Sequence, residues 1–245
     1  MQSIIIAAGY ATRLYPLTEH FPKPLLQIGQ STILDRLLDD LDTIPDISRH
    51  LVVTNHKFIR QFQSWAAPRN NVTLIDDGTT TNEGRLGAVR DLLLAVDHMG
   101  EADDLLVAAA DNLLDFSLSG FVQCFRQKGT SLIMCHHEPS VEKLRRTGVI
   151  TVDDNMRVLS MQEKPQEPAS HWAVPPLLYI RARGPAPHPH VPRQRLRIRR
   201  TRQPRPFPRR AHHAACLAYA RETVRHRVAR HLPPSAATLC VAPLG

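Results

Sequence analysis

Aromatic residues make up only 5% of this 245-residue chain, and no apolar run approaches the roughly 18–20 residues that a membrane-spanning helix needs. No membrane span is therefore expected. The opening residues, Met-Gln-Ser-Ile-Ile-Ile-Ala-Ala-Gly, lack the basic region and long apolar core of a signal peptide, so a cytoplasmic location is the expectation. The four cysteines (Cys124, Cys135, Cys216 and Cys240) follow no zinc-ligand spacing. At this size and density a disulfide framework is not expected either. Lysine is absent after Lys164 and aspartate after Asp154. Those two absences divide the chain.

The formal net charge is +8, but it sums two unlike pieces. Residues 184–245 hold 13 Arg, one acidic residue (Glu222), 10 Pro and 6 His, for a net +12. Residues 1–183 carry 18 basic and 22 acidic side chains, a net −4. The basic character belongs to the tail alone.

The body alternates between two periodicities. Ser3–Ala8 is a short apolar run ending at Gly9, which suits a buried strand and a tight turn. Ser31 or Thr32 can cap a helix through Leu41, with Ile33, Leu34, Leu37, Leu38 and Leu41 on one face. Further strands are predicted at His50–Thr54, Val72–Ile75, Leu105–Ala110 and Ser131–Cys135, and further helices at Lys57–Trp65, Arg85–His98 and Phe121–Lys128. Thr147–Val152 and Arg157–Met161 read as a strand pair turning at Asp153–Asn155. Strand–helix alternation of this kind predicts an α/β fold with a mostly parallel sheet covered by helices on both faces. Ligands of such sheets bind beyond the carboxyl ends of strands, where Gly9 and Asp111 fall. The adjacent pair His136-His137 would point to opposite sides of a strand and gives no metal signal.

Residues 7–25 form the densest stretch of candidate chemistry. Gly9 lets backbone approach a phosphate or a base closely. Arg13 offers a planar donor fork for phosphate oxygens. Lys23 stands between Pro22 and Pro24, which predict a pre-set, extended segment around it. Alone, either cation reads as solvated surface charge. Together they are suited to holding a triphosphate, or to neutralising charge that develops during nucleotidyl transfer.

The string Gly9-Tyr10-Ala11-Thr12-Arg13-Leu14-Tyr15-Pro16-Leu17-Thr18, followed by Pro22-Lys23-Pro24, resembles the opening of the sugar-phosphate nucleotidyltransferases. Those proteins read Gly-x-(Gly/Ala)-x-Arg-Leu-x-Pro-Leu-Thr and then Pro-Lys-Pro. The resemblance is closest to the branch that includes glucose-1-phosphate thymidylyltransferases, and it spans residues 1–180. Val107-Ala108-Ala109-Ala110-Asp111-Asn112 matches the family's apolar strand ending Gly-Asp-Asn, with Ala110 in place of the glycine. Thr147-Gly148-Val149-Ile150 and Glu163-Lys164-Pro165 match its later glycine-containing strand and Glu-Lys-Pro.

The resemblance implies a three-layer, Rossmann-like nucleotidyltransferase sheet. It implies a reaction in which a sugar 1-phosphate attacks a nucleoside triphosphate to give a nucleotide-sugar and pyrophosphate. By the same resemblance Arg13 and Lys23 are catalytic, and Ala8, Gly9, Arg13, Arg85 and Gly87 contact nucleotide. Gly148, Glu163 and Lys164 hold the sugar phosphate, and Asp111 binds Mg²⁺. The glutamine common in the base-contacting segment is missing from residues 77–88, which leaves the choice of base open, as is the choice of sugar. Three readings compete: a catalytically dead nucleotide-binding remnant, a phosphocholine-type transferase, and nucleic-acid binding through the basic tail.

Residues 181–245 do not continue the pattern. The family carries a late aromatic-Asp-Ile-Gly motif whose Asp completes the metal site, and this chain has none. A tail rich in Arg, Pro, His and Ala with no sustained apolar period does not build a core. Nucleic-acid-binding tails mix Lys with Arg and interleave aromatics, whereas only Phe207 and Tyr219 are aromatic after residue 184. Nucleic acid is thus not the expected partner. The genetic code permits another reading. Val224-Arg225-His226-Arg227, read one base later, can spell Tyr-Asp-Ile-Gly, and the continuation to Leu232 permits Ser-Leu-Asp-Thr-Tyr. Arg183–Pro189 permits Glu-Asp-Leu-Pro-Leu-Ile-Arg in the same frame. We therefore read the tail as a frameshift near residues 181–184, from a sequencing error or a broken gene.

Overall fold

A computed structural model describes residues 1–99, 104–175, 177–180 and 240–243, the last two segments as backbone. The chain opens with β1 (Gln2–Ile6), and a hairpin of β2 (Gln27–Ile28) and β3 (Ser31–Thr32) leads into α1 (Ile33–Asp42). Then follow β4 (Arg49–Thr54), a 3-10 turn (His56–Phe58), α2 (Ile59–Ala66), β5 (Val72–Asp76), α3 (Ala88–Met99) and β6 (Leu105–Ala109). The remainder is α4 (Ser119–Lys128), β7 (Leu132–His137), α5 (Val141–Leu144), β8 (Gly148–Val152), β9 (Val158–Glu163), β10 (Trp172–Val174), β11 (Leu177–Ile180) and β12 (Cys240–Pro243).

The main sheet runs β5-β4-β1-β6-β11-β7-β10-β8-β9. Its first four strands are parallel, and every later joint is antiparallel. The strands of the parallel part are near-continuous apolar runs because both faces are covered. Ile5, Val52, Leu106 and Ala108 pack with α1, α2 and α4 through Leu34, Leu38, Phe62 and Phe121. The alternate residues Ile4, Ile6, Leu51, Val53 and Val107 pack with α3 through Val89, Leu92 and Ala95. Period-two alternation of side chains thus sorts the helices into two outer layers, giving the predicted three-layer α/β fold.

Some element ends differ from the sequence expectation. Thr32, rather than Ser31, caps α1 in a reciprocal box with Asp35: Asp35 N donates to Thr32 Oγ1 at 3.0 Å and Thr32 N donates to Asp35 Oδ2 at 2.9 Å. Helix α3 begins at Ala88, not Arg85, because Gly87 has a φ of +85° and closes off helical geometry before it. The predicted helix from Lys57 opens as a 3-10 turn, with Phe58 N donating to Asn55 Oδ1 at 3.1 Å. Strands β10 and β11 lie beyond the sequence expectation. In sequence they are separated by Pro175 and Pro176, and they pair with two different stretches of β7. Strand β12 is likewise unexpected, and it pairs antiparallel with β7 from Cys240 to Pro243. The rest of the tail reading, including Val224–Arg227, lies outside the described residues.

Candidate active site

The carboxyl ends of four parallel strands lie level. Ile6 is opposite both Val53 and Ala109, and Thr54 is opposite Asp76. Gly9, Asn55, Asp77 and Asp111 follow those ends, at the edge where such sheets bind ligands.

After β1 the backbone is tied down from its neighbours. Ala7 N donates to Val53 O at 2.8 Å, Asn55 Nδ2 donates to Ala8 O at 3.1 Å, and Ala110 N donates to Ile6 O at 3.0 Å. Ala11 adopts a left-handed conformation (φ 47°), and a 3-10 turn from Thr12 to Leu14 follows. Thr18 Oγ1 donates to Ala11 O at 2.8 Å and fixes the turn. Gly9 is exposed, and a Cβ there would meet no atom within 4 Å. The glycine therefore faces open space rather than protein. Arg13 is exposed, and none of the described residues pairs with it.

Lys23 is the best-defined cation of the site. Its side chain is buried, and Nζ donates to Asp111 Oδ2 and to Asp111 O, each at 3.0 Å. Residues 88 apart in sequence are thereby joined across the mouth of β6. Pro22 is extended as expected, but Lys23 itself starts a short 3-10 turn (Lys23–Leu25) instead of continuing an extended segment. Lys23 occupies Oδ2 of Asp111, and no described residue bonds Oδ1. No group of three or more metal-ligating side chains gathers among the described residues. That leaves one carboxylate oxygen, a donor set that fits Mg²⁺ completed by water and phosphate oxygens, not an all-protein cage.

The residues expected at the sugar phosphate come together on the antiparallel part of the sheet. Gly148 is opposite Glu163 in the β8–β9 ladder. A Cβ on Gly148 would lie 2.9 Å from Met161 Cε and 3.6 Å from Glu163 Oε2, so a side chain there would displace the flexible end of Met161. Lys164 has a φ of 48°, its N donates to Thr147 O at 3.0 Å, and its Nζ lies 3.4 Å from Glu163 Oε1. Val174 of β10 pairs with Gly148, and the same stretch of chain reaches Leu177 opposite Ala108 of β6. This register carries the Gly148 end of β8 toward the Asp111 end of β6.

The segment after β5 is the third part. Arg85 is exposed and its Nη1 donates to Asn82 O at 2.6 Å. Gly87 O accepts from Arg90 N and Asp91 N and opens α3, and a Cβ on Gly87 would meet nothing within 4 Å. Two acids lie behind this segment. Asp77 is buried and accepts from Thr79 N at 2.7 Å and from Thr79 Oγ1 at 2.8 Å. Burial raises its carboxyl above the ordinary range even so. Asp91 is 3% exposed, and its Oδ1 has no hydrogen-bond partner. Burial first, and the charge of Asp77 second, push it up to about 7. Sequence reasoning missed Asn55 and Asp91, and it placed Asp77 and Thr79 in the base-side segment 77–88 without a role for either. For Asn55 a signal existed, an Asn directly after an apolar strand and before a helix, the position of a cap.

With this geometry in view, the sequence profile of the family described as Nucleotidyl transferase matches residues 2–180. The chain belongs to that family. It is 31% identical over 173 residues to the bifunctional protein GlmU of Methanococcus aeolicus, covering 70% of this chain and 38% of that protein. It is 28% identical over 171 residues to the UTP–glucose-1-phosphate uridylyltransferase AglF of Haloferax volcanii, covering 70% and 68%. A UTP–glucose-1-phosphate uridylyltransferase of Synechocystis is 29% identical over 67% of this chain and 44% of its own length. The matched region thus spans less than half of the GlmU and Synechocystis proteins. Among solved structures, one assigned as a glucose-1-phosphate thymidylyltransferase from Bacillus anthracis, bound to sucrose, has a TM-score of 0.65 at 23% identity, covering 74% and 72%. A UDP-glucose pyrophosphorylase bound to UDP-glucose has a TM-score of 0.60 at 17% identity, covering 74% and 75%. These structures share the fold. Among the described residues no helix is long and apolar enough to cross a membrane.

Proposed function

We propose that residues 1–180 form a nucleotidyltransferase domain that moves a nucleoside monophosphate from a nucleoside triphosphate to a sugar 1-phosphate, releasing pyrophosphate. The reading rests most on one observation: Lys23, buried and fixed on Asp111 at the edge where Gly9 faces open space. An oxygen of the sugar phosphate attacks the α-phosphorus. As that P–O bond forms, the α–β bridging P–O bond breaks and pyrophosphate leaves with its electron pair. Ala8 and Gly9 bring backbone close to the nucleotide, and Arg85 and Gly87 bound it on the base side. Arg13 and Lys23 balance the negative charge that grows on the phosphate oxygens. Gly148 and Glu163 receive the sugar, and Lys164 holds the attacking phosphate in line. Asp111 Oδ1 would hold Mg²⁺, which would supply charge neutralisation at the phosphates. The substrates are water-soluble anions, and we assign the reaction to the cytoplasm.

The frameshift reading belongs to this proposal. The chain lacks the late aspartate that the family resemblance implies, so Asp111 would be the one carboxylate holding Mg²⁺, and low turnover is expected. The test is pyrophosphate release with Mg²⁺, glucose 1-phosphate and several nucleoside triphosphates, run on the 245-residue chain and on a protein with one base restored near codon 183. Strong release only from the restored protein is expected. Release from neither protein with any nucleotide contradicts the transferase reading, and equal release from both contradicts the frameshift.

A further inference from the structure

Three loops leave adjacent strands of the parallel half, and one buried chain of polar groups joins them beneath the exposed Gly9. Tyr10 is 3% exposed, and its OH lies 2.9 Å from Thr79 Oγ1. Thr79 Oγ1 in turn lies 2.8 Å and 3.0 Å from the two carboxylate oxygens of Asp77. A threonine hydroxyl has a single proton. It goes to the Asp77 carboxylate, so the Tyr10 phenol donates to Thr79 Oγ1 and the chain runs Tyr10 to Thr79 to Asp77.

The middle loop is tied in as well. Asp77 N donates to Thr54 O at 2.9 Å, Lys57 N donates to Thr79 O at 3.3 Å, and a carboxylate oxygen of Asp77 accepts from the His56 backbone. Asn55 Nδ2 holds Ala8 O, one residue before Gly9, and the Tyr10 ring packs on Phe58 at 6.4 Å between centroids. Strands β1 and β5 are not neighbours, since β4 lies between them. Tyr10 is thus the side chain that reaches across β4 from the nucleotide loop to the segment bearing Arg85 and Gly87.

We infer that Tyr10, Thr79 and Asp77 are positioning residues for the nucleoside triphosphate, holding the loop of Gly9–Arg13 and the segment of Asp77–Gly87 at one fixed spacing. The inference rests on the functional reading above. Tyr10 and Thr79 are buried and are assigned no substrate contact. They act through the spacing between a phosphate-facing loop and a base-facing one, which a triphosphate must bridge. Losing one link lets the two loops drift apart and lowers nucleotide affinity, while the sugar-phosphate side on β8–β9 is untouched.

The experiment is calorimetric titration of the full chain with UTP and with dTTP, for the unsubstituted protein and for Tyr10→Phe, Thr79→Val and Thr79→Ser. Tyr10→Phe and Thr79→Val are expected to bind the preferred nucleotide about tenfold more weakly, the scale of one lost buried hydrogen bond. Thr79→Ser keeps the hydroxyl and should restore most of the affinity. The double variant Tyr10→Phe/Thr79→Val should bind no more weakly than the weaker single variant, because both break one chain. Amide exchange read alongside should show nucleotide protecting residues 78–87 together with 9–14 in the unsubstituted protein, but only one of the two segments in Tyr10→Phe. Affinity unchanged in Tyr10→Phe and Thr79→Val, with only a lowered Tm, overturns the inference and leaves the functional reading standing. Binding of neither nucleotide by the unsubstituted protein overturns the functional reading itself.

Discussion

The glycines of the two halves of the sheet have different surroundings. In the parallel half, β5-β4-β1-β6, an added Cβ on Gly9 would meet nothing within 4 Å, whereas Gly87 is held at a φ of +85° that itself favours glycine. In the antiparallel half, an added Cβ on Gly148 would come 2.9 Å from the flexible end of Met161, and Glu163 stands opposite in the ladder. A parallel half presents its site on loops beyond the strand ends, and an antiparallel half presents it on the strands themselves. The transfer proposed above needs one substrate from each.

The largest expected effect comes from the parallel half. Lys23→Ala removes the buried cation on Asp111 and should cut the turnover of a frame-restored protein by at least about a hundredfold, as loss of a charge-stabilising donor does. Steady-state pyrophosphate release measures it, and near-normal turnover would remove Lys23 from the mechanism. The next pair sets the halves against each other. Gly148→Ala displaces only the flexible end of Met161, so it should cost the fold no more than about 1 kcal/mol and raise KM for the sugar phosphate. Gly9→Ala should leave Tm almost unchanged and weaken nucleotide binding instead. Thermal melts and titrations of the two variants separate these outcomes, and a large Tm loss in Gly9→Ala would break the contrast.

A smaller effect is carried by Asp91. Its folded pKa, about 7, lies above the ordinary carboxylate value of 3.8, so the folded state favours the protonated form. Its stabilising contribution is full below about pH 4, is lost as pH rises towards 7, and is level above that. Asp91→Asn, which cannot ionise, should flatten the decline of Tm between about pH 4 and 7 and raise Tm at about pH 8. An unchanged pH profile would show that Asp91 titrates normally. The smallest effect is local: Thr32→Ala removes one half of the α1 capping box and should cost about 1 kcal/mol in chemical denaturation, with both substrate affinities unmoved.

The halves also differ in how legible they are from sequence. Strands β1, β4, β5 and β6 are apolar on both faces, and the helices between them carry a clear helical period, so their order can be read from residue types alone. The motifs at Gly9–Thr18 and Lys23 are equally legible because they are local. What the sequence hides is non-local or short. Trp172–Val174 and Leu177–Ile180 are separated by Pro175 and Pro176, which read as a break, yet that break falls where pairing switches from β8 to β6. Helix α5 spans four residues, and β2 and β3 two each, too few to show any period. Leu86 extends the apolar pattern of α3 backwards, but the left-handed Gly87 overrides it. The pairing of Lys23 with Asp111, the chain from Tyr10 to Asp77 and the orphan oxygen of Asp91 depend on strand register, which no local pattern carries.

On the proposed function, one sheet seats two substrates in two differently built halves. The test is to map backbone amide shifts of the isotopically labelled chain during stepwise addition of a nucleoside triphosphate (UTP or dTTP) and then glucose 1-phosphate, a measurement that needs no turnover. Nucleotide should move the amides of Gly9–Arg13, Lys23, Asp111 and Arg85–Gly87 first. Glucose 1-phosphate should then move those of Gly148, Glu163 and Lys164. Both ligands shifting the same half, or the nucleotide shifting only β8 and β9, would contradict it.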